Sequence, residues 1–261
     1  MVDHNLQLVT EKLSTLPCIE GIVLGGSRAR GTHTEDSDID IGIYYKSEAF
    51  DLTAINQIAR ELDDEHRSNL VVPPGSWGNW VNGGGWLIIN GFHVDFILRD
   101  IKRVEQIMND TDQGIVTANY QTGHPHGYIS AMYRGELAIS KVLYASDDNF
   151  SNLKKQAEHY PTALQKGISD FFMFEAGFSS MFAEKNIDKD DLYYVSGHCF
   201  RSISSLNQVL FAINREYCIN EKKAIKMIGD FKVKPSNYKE RVDQVFSLIS
   251  NDVDQTRRGI E

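Results

Sequence analysis

The segment Asp38-Ile39-Asp40-Ile41-Gly42-Ile43 alternates polar or small residues with isoleucines. That period of two predicts a β-strand with one wet face, because successive side chains of a strand leave on opposite sides. Such a strand needs a sheet around it, and the flanking sequence supplies one. Gly21-Ile22-Val23-Leu24 is a short apolar run suited to a buried strand. Residues 86–89 and 92–98 are two further strand patterns joined by Asn90-Gly91, both of which tolerate positive φ and so favour a tight hairpin. Helical spacing occupies 4–15, closed by Pro17, and returns at 50–65.

From about residue 100 the strand patterns stop. Pro161 suits a helix N-terminus, and Leu164, Ile168, Phe171, Phe172, Phe178, Met181 and Phe182 follow at helical spacing, with the Phe cluster expected in a core. Leu192, Val195, Cys199, Ile203, Leu206, Leu210 and Ile213 form one apolar stripe over six turns, and a last helix is expected over 237–256. The expected fold is α+β: a mixed-sheet domain over 1–110, a connecting segment over 111–149 and a helical bundle over 150–261.

Composition narrows the function. Twenty-seven Lys and Arg against 36 Asp and Glu leave a net charge of −9, a poor basis for gripping nucleic acid through its phosphates. No apolar run reaches the ~18 residues of a membrane helix. The polar, acidic start is unlike a secretory signal, and Cys18, Cys199 and Cys218 are scattered. These features predict a cytoplasmic protein with buried thiols and no membrane partner.

The chemistry concentrates between residues 24 and 44. A strand runs into Gly25-Gly26-Ser27, a turn with backbone N–H groups and a hydroxyl suited to an anion such as phosphate. Asp38 and Asp40 share one face of the next strand, where two carboxylates repel unless a cation lies between them. Mg²⁺ suits carboxylate oxygens combined with substrate phosphates. Asp95, among apolar strand neighbours, is a third acid whose burial a shared metal would offset. Three carboxylates beside a phosphate-binding turn describe a two-metal phosphoryl or nucleotidyl transfer site.

The stretch Gly26-Ser27-Arg28-Ala29-Arg30-Gly31, followed by Asp38-Ile39-Asp40 and a later strand acid, resembles the signature of the DNA polymerase β-like nucleotidyltransferase superfamily. Its small-molecule branch, the aminoglycoside and lincosamide nucleotidyltransferases and two-domain bacterial relatives of similar length, looks closest. The resemblance implies transfer of a nucleoside monophosphate from a nucleoside triphosphate, ATP first among them, to an acceptor hydroxyl with release of pyrophosphate. It implies that Asp38, Asp40 and Asp95 hold two Mg²⁺ ions, that Asp95 takes the hydroxyl proton, and that Gly26 and Ser27 hold the β- and γ-phosphates. Arg28 or Arg30 is expected to help neutralise the pyrophosphate. The expected partner is a small hydroxylated acceptor; a protein hydroxyl, as in toxin-modifying antitoxins, and a degenerate nucleotide-binding module are the rivals. Oligomeric state is left open, with a homodimer among the options.

Other candidates carry less. Gly26 and Gly31 have the spacing of P-loop glycines, but Thr32 stands where the Lys is needed. His124 and His126 flank Pro125 in a Gly-bounded loop, better explained as a structural turn than as a substrate contact. Trp77, Trp80 and Trp86 fit equally well as a stacking surface and as a cap on the sheet edge. His198 and Glu175 fit a core or surface role better than that of a base. Asp63-Asp64-Glu65 is expected to be a solvated face.

Overall fold

The computed structural model describes residues 1–260, which fall into two compact units. The first contains 1–110, 121–123 and 133–159; the second contains 111–120, 124–132 and the described chain from 160 onward. Along the chain run α1 (Val2–Leu13), β1 (Ile19–Leu24), α2 (Gly26–Arg30), β2 (Ile39–Tyr45), α3 (Leu52–Leu62), β3 (Gly83–Ile89), β4 (Phe92–Asp100) and α4 (Ile101–Asp112). Then come β5 (Ala118–Asn119), β6 (Tyr128–Ile129), α5 (Met132–Ile139), β7 (Lys141–Ala145) and α6 (Asp148–Glu158). The helices α7 (Thr162–Asn186), α8 (Leu192–Ile213), α9 (Ala224–Ile228), α10 (Tyr238–Leu248) and α11 (Val253–Ile260) complete it.

The first unit is built on a five-stranded mixed sheet in the order β3-β4-β2-β1-β7. Strands β2 and β4 are parallel, and every other neighbouring pair is antiparallel. The alternation in β2 has the predicted effect. Ile39, Ile41 and Ile43 turn inward with Val94, Phe96 and Leu98 of β4, joining Val9 and Leu13 of α1 and Ile55 and Leu62 of α3 in one apolar core. Each such side chain contributes roughly 1.5–3 kcal/mol by leaving water. Helix α3 starts where Asp51 accepts a hydrogen bond from the Ala54 N–H at 3.0 Å. The predicted hairpin closes on Asn90 and Gly91 at φ 50° and 77°.

Strand β1, between β2 and the edge strand β7, is buried on both faces. On the face away from the α1–α3 core, the Phe150 ring of α6 lies against Gly21, where a Cβ would come within 2.2 Å of the ring. Tyr44 meets the same ring edge-on at 5.0 Å.

The first unit corrects two expectations. Strand patterns do not end at residue 100, because β7 pairs with β1. Its five residues lie at a sheet edge, none of them fully buried, so they carry no core periodicity. Asp63 is not part of a solvated face either, whereas Asp64 and Glu65 are exposed as expected. Asp63 is fully buried; it holds Arg67 through two hydrogen bonds of 2.6 and 2.9 Å and accepts from the Ile88 N–H. Asp64 accepts from the Asn90 and Gly91 N–H groups, both at 2.8 Å, so the end of α3 is tied to the hairpin turn.

The second unit is helical apart from the β5–β6 ribbon. Helices α7 and α8 form a packed hairpin, joined through Asp191, which caps α8 by accepting from the Tyr194 N–H. The helix expected over 237–256 is two helices: Ser250, Asn251 and Asp252 break it, and Asp252 restarts α11 by accepting from the Gln255 N–H at 3.0 Å. The Phe cluster is not wholly core. Phe172 is buried, whereas Phe171, Phe174 and Phe178 are 44%, 72% and 48% exposed, because they lie on the side of α7 away from α8's apolar stripe. All three cysteines are free and buried. No helix among the described residues is long and apolar enough to cross a membrane.

Candidate active site

Strand β1 ends at Leu24 and the chain turns into α2 through Gly25 and Gly26. Gly25 donates its N–H to the Asp40 carbonyl at 2.8 Å, which stitches the turn to β2. Gly26 adopts φ +58°, a conformation that side chains disfavour. A Cβ there would lie 1.8 Å from Asp40 Oδ2. Only glycine lets the turn and the Asp40 carboxylate come this close.

Asp40 and Asp95 are register partners across the parallel β2–β4 pair. Neighbouring strands are spaced by about 4.8 Å, so the two carboxylates stand side by side on the face opposite the apolar core. Asp38, two residues before Asp40, is exposed at the mouth of the strand. The grouping has an electrostatic consequence. The Asp95 carboxyl is pushed up to about 6, first by burial, then by the negative charges of Asp40 and Asp38, with His93 pulling weakly the other way.

A concentration of negative charge with hard oxygen donors is the chemistry that a divalent cation relieves, so Asp38, Asp40 and Asp95 fit a metal as donors. Among the described residues no three acidic, His or Cys side chains close into a preformed cage. The carboxylates form an open face instead.

Arg28 is buried, and its guanidinium is engaged by main chain rather than turned outward. Nη2 donates to the carbonyls of Ser37 at 2.5 Å and Glu35 at 3.3 Å, and Nε donates to those of Ser37 and Asp38, each at 3.1 Å. Arg28 thus clamps the loop that delivers Asp38, a role its sequence neighbourhood does not disclose. Ser27 lies half-buried in the first turn of α2 beside Gly26.

Trp86 extends the row. It pairs with Asp95 across the β3–β4 hairpin, so Trp86, Asp95 and Asp40 lie abreast on three adjacent strands. Trp86 is 64% exposed and stacks on Trp77, with ring centroids 4.8 Å apart. The sequence carries the signal for this pairing: a two-residue turn at Asn90-Gly91 sets residues equally distant from it opposite each other. Trp80 is placed differently, with the Arg103 guanidinium over its ring at 4.2 Å.

His124 and His126 belong to the second unit. Glu221 lies 3.4 Å from His124 and also accepts the His126 N–H at 3.0 Å, while Glu175 lies 3.7 Å from the His126 ring and pairs with Arg201. Both histidines anchor the turn between β5 and β6, and Glu175 serves that network. His198 is sandwiched by Phe182 and Tyr194.

Two carboxylates side by side on a mixed sheet beside a glycine turn, with Asp38 just before the strand, fit the donor set that metal-assisted phosphorus-group transfer uses. Residues 6–116 match the family model of the nucleotidyltransferase domain, a match that supports nucleotidyltransferase activity. Among solved structures the chain is similar to a nucleotidyltransferase-like protein from Exiguobacterium sibiricum 255-15, at 10% sequence identity and a TM-score of 0.48, over 100% of this chain and 73% of that one. No curated protein matches the sequence.

Proposed function

We propose that this protein moves a nucleoside monophosphate from a nucleoside triphosphate, ATP first among them, to a hydroxyl of a small-molecule acceptor, with Mg²⁺ as the metal. The observation that carries the reading is the side-by-side pairing of Asp40 and Asp95 against the Gly26 turn. In this reading the two carboxylates act as metal donors and the turn's N–H groups as the phosphate cradle beside them.

In this reading Asp38, Asp40 and Asp95 hold two Mg²⁺ ions, which when bound supply Lewis-acid charge stabilisation at the phosphates. The Gly26 and Ser27 N–H groups and the Ser27 hydroxyl hold the β- and γ-phosphates. The acceptor oxygen attacks the α-phosphorus, the bond to the bridging oxygen breaks, and pyrophosphate leaves. Asp95 takes the hydroxyl proton. Arg28 acts through the Asp38 loop it clamps, and the outer face of Trp86 offers a flat ring for the base or for an acceptor ring to lie on. Most of the rate comes from positioning and from charge held where the transition state develops it.

The test is pyrophosphate release from each of the four ribonucleoside triphosphates with Mg²⁺, with and without aminoglycosides, lincosamides and simple sugars. Acceptor-dependent release that disappears in Asp38→Ala/Asp40→Ala is the expected result. Release with every acceptor equally, or release that survives the double substitution, overturns the reading.

A further inference from the structure

The second unit contains a groove that the transfer reaction does not use. It lies among α7, α8, α10 and α11, with a cavity of about 350 Å³. Ala183, Leu206, Val242 and Val245 supply apolar wall. Two polar neighbours are already committed: Tyr238 donates its hydroxyl to Asn207 at 2.8 Å, and Ser202 donates to the Ala176 carbonyl at 2.9 Å. Cys199 also lines it, its thiol pushed up to about 11 by burial and therefore uncharged.

The charges at this groove run against the rest of the chain. The sequence has nine more acids than bases, yet no Asp or Glu among the described residues lines the cavity, while Arg241 and Arg258 both do. Elsewhere Arg67, Arg99 and Arg201 each hold a carboxylate, and Arg28 and Arg103 are engaged by carbonyls or an aromatic ring. Arg241 and Arg258 have no acidic partner among the described residues, and both are exposed. An apolar slot edged by two guanidinium groups that hold no carboxylate among the described residues suits an occupant with an anionic head.

We propose that this groove binds an amphipathic anion: a small apolar body that a cavity of about 350 Å³ accepts, bearing a carboxylate or phosphate head. The body lies along the apolar wall, and the head meets Arg241 and Arg258. The site stands on its own residues and does not depend on the proposed transfer chemistry.

The test is calorimetric titration of the full chain with sodium decanoate, decyl phosphate and decanol. The expected result is saturable one-to-one binding of an anion, with decanol at least tenfold weaker; the stronger of the two anions identifies the head group. Arg241→Glu/Arg258→Glu should weaken anion binding at least tenfold without changing the melting temperature. Arg257→Glu, an exposed neighbour that does not line the groove, should leave it unchanged. Decanol binding as well as the anions, equal losses in the Arg257 control, or no saturable uptake, including the case where copies of the chain associate and cover the groove, overturns the proposal.

Discussion

Asp40 of β2 and Asp95 of β4 are direct partners in the parallel half of the sheet, and Gly26 makes room for the Asp40 carboxylate. Two like charges on adjacent strands cost stability in the absence of a cation. Replacing one of them should therefore separate function from folding. Asp40→Asn is expected to lower transfer at least a thousandfold while the metal-free protein melts no lower than the parent. NMR titration of Asp95 should find its carboxyl below about 6, though burial still holds it above the ordinary carboxylate value. A lower melting temperature, or an unmoved Asp95, would contradict the pairing.

Gly26→Ala places a methyl group where Asp40 Oδ2 now lies, at a positive φ. Both the clash and the strain oppose it. A loss of about 1–3 kcal/mol is expected in urea unfolding, together with a larger drop in activity than Ser27→Ala causes, because Asp40 itself must move.

Arg28→Lys tests the clamp. A lysine ammonium cannot reproduce the planar fork that reaches the carbonyls of Glu35, Ser37 and Asp38. Hydrogen exchange in residues 32–38 should quicken and kcat should fall, with the triphosphate KM changing less. An arginine whose role is phosphate contact would instead show its loss chiefly in that KM.

Asp63 lies under the hairpin, held well below the usual carboxylate range mainly by hydrogen bonds from Arg67 and also by the Ile88 N–H, against the cost of burial. A depressed native value means that the unfolded chain takes up this proton first. Asp63 thus contributes stability above about pH 4, which is lost as pH falls further. Asp63→Asn should destabilise by about 1–3 kcal/mol at neutral pH by leaving the Ile88 N–H and the Arg67 donors poorly matched. It should also flatten the acid limb of the stability profile, read by thermal melts between pH 2 and 7.

Trp86 is mostly exposed, so Trp86→Ala should leave the melting temperature within about 2 °C, as surface changes do. If its outer face carries a base or acceptor ring, the corresponding KM should rise roughly five- to 150-fold, since stacking is worth about 1–3 kcal/mol per base. Unchanged kinetics for every substrate would return Trp86 to a cap on the sheet edge.

Local sequence determined a good deal. The isoleucine alternation of β2, the Asn90-Gly91 turn and the apolar stripe that became α8 all rest on interactions within a few residues. The backbone had few other ways to satisfy them. Asp40 was legible for the same reason, whereas Asp38, expected on the same strand face, lies just before β2 in the loop.

Tertiary structure decided what depends on partners far along the chain. Edge strand β7 exists because β1, more than a hundred residues earlier, offers open hydrogen bonds. Phe171 and Phe178 have the spacing of core residues and are about half exposed, because an apolar stripe specifies that a helix has a face but not how much of it other helices cover. Asp63 became an anchor when the hairpin arrived above it, and Arg28 a clamp when the loop folded back over it. Asp95 shares a site with Asp40 through the parallel register alone, fixed by side-chain packing across the sheet, which no stretch of sequence contains by itself.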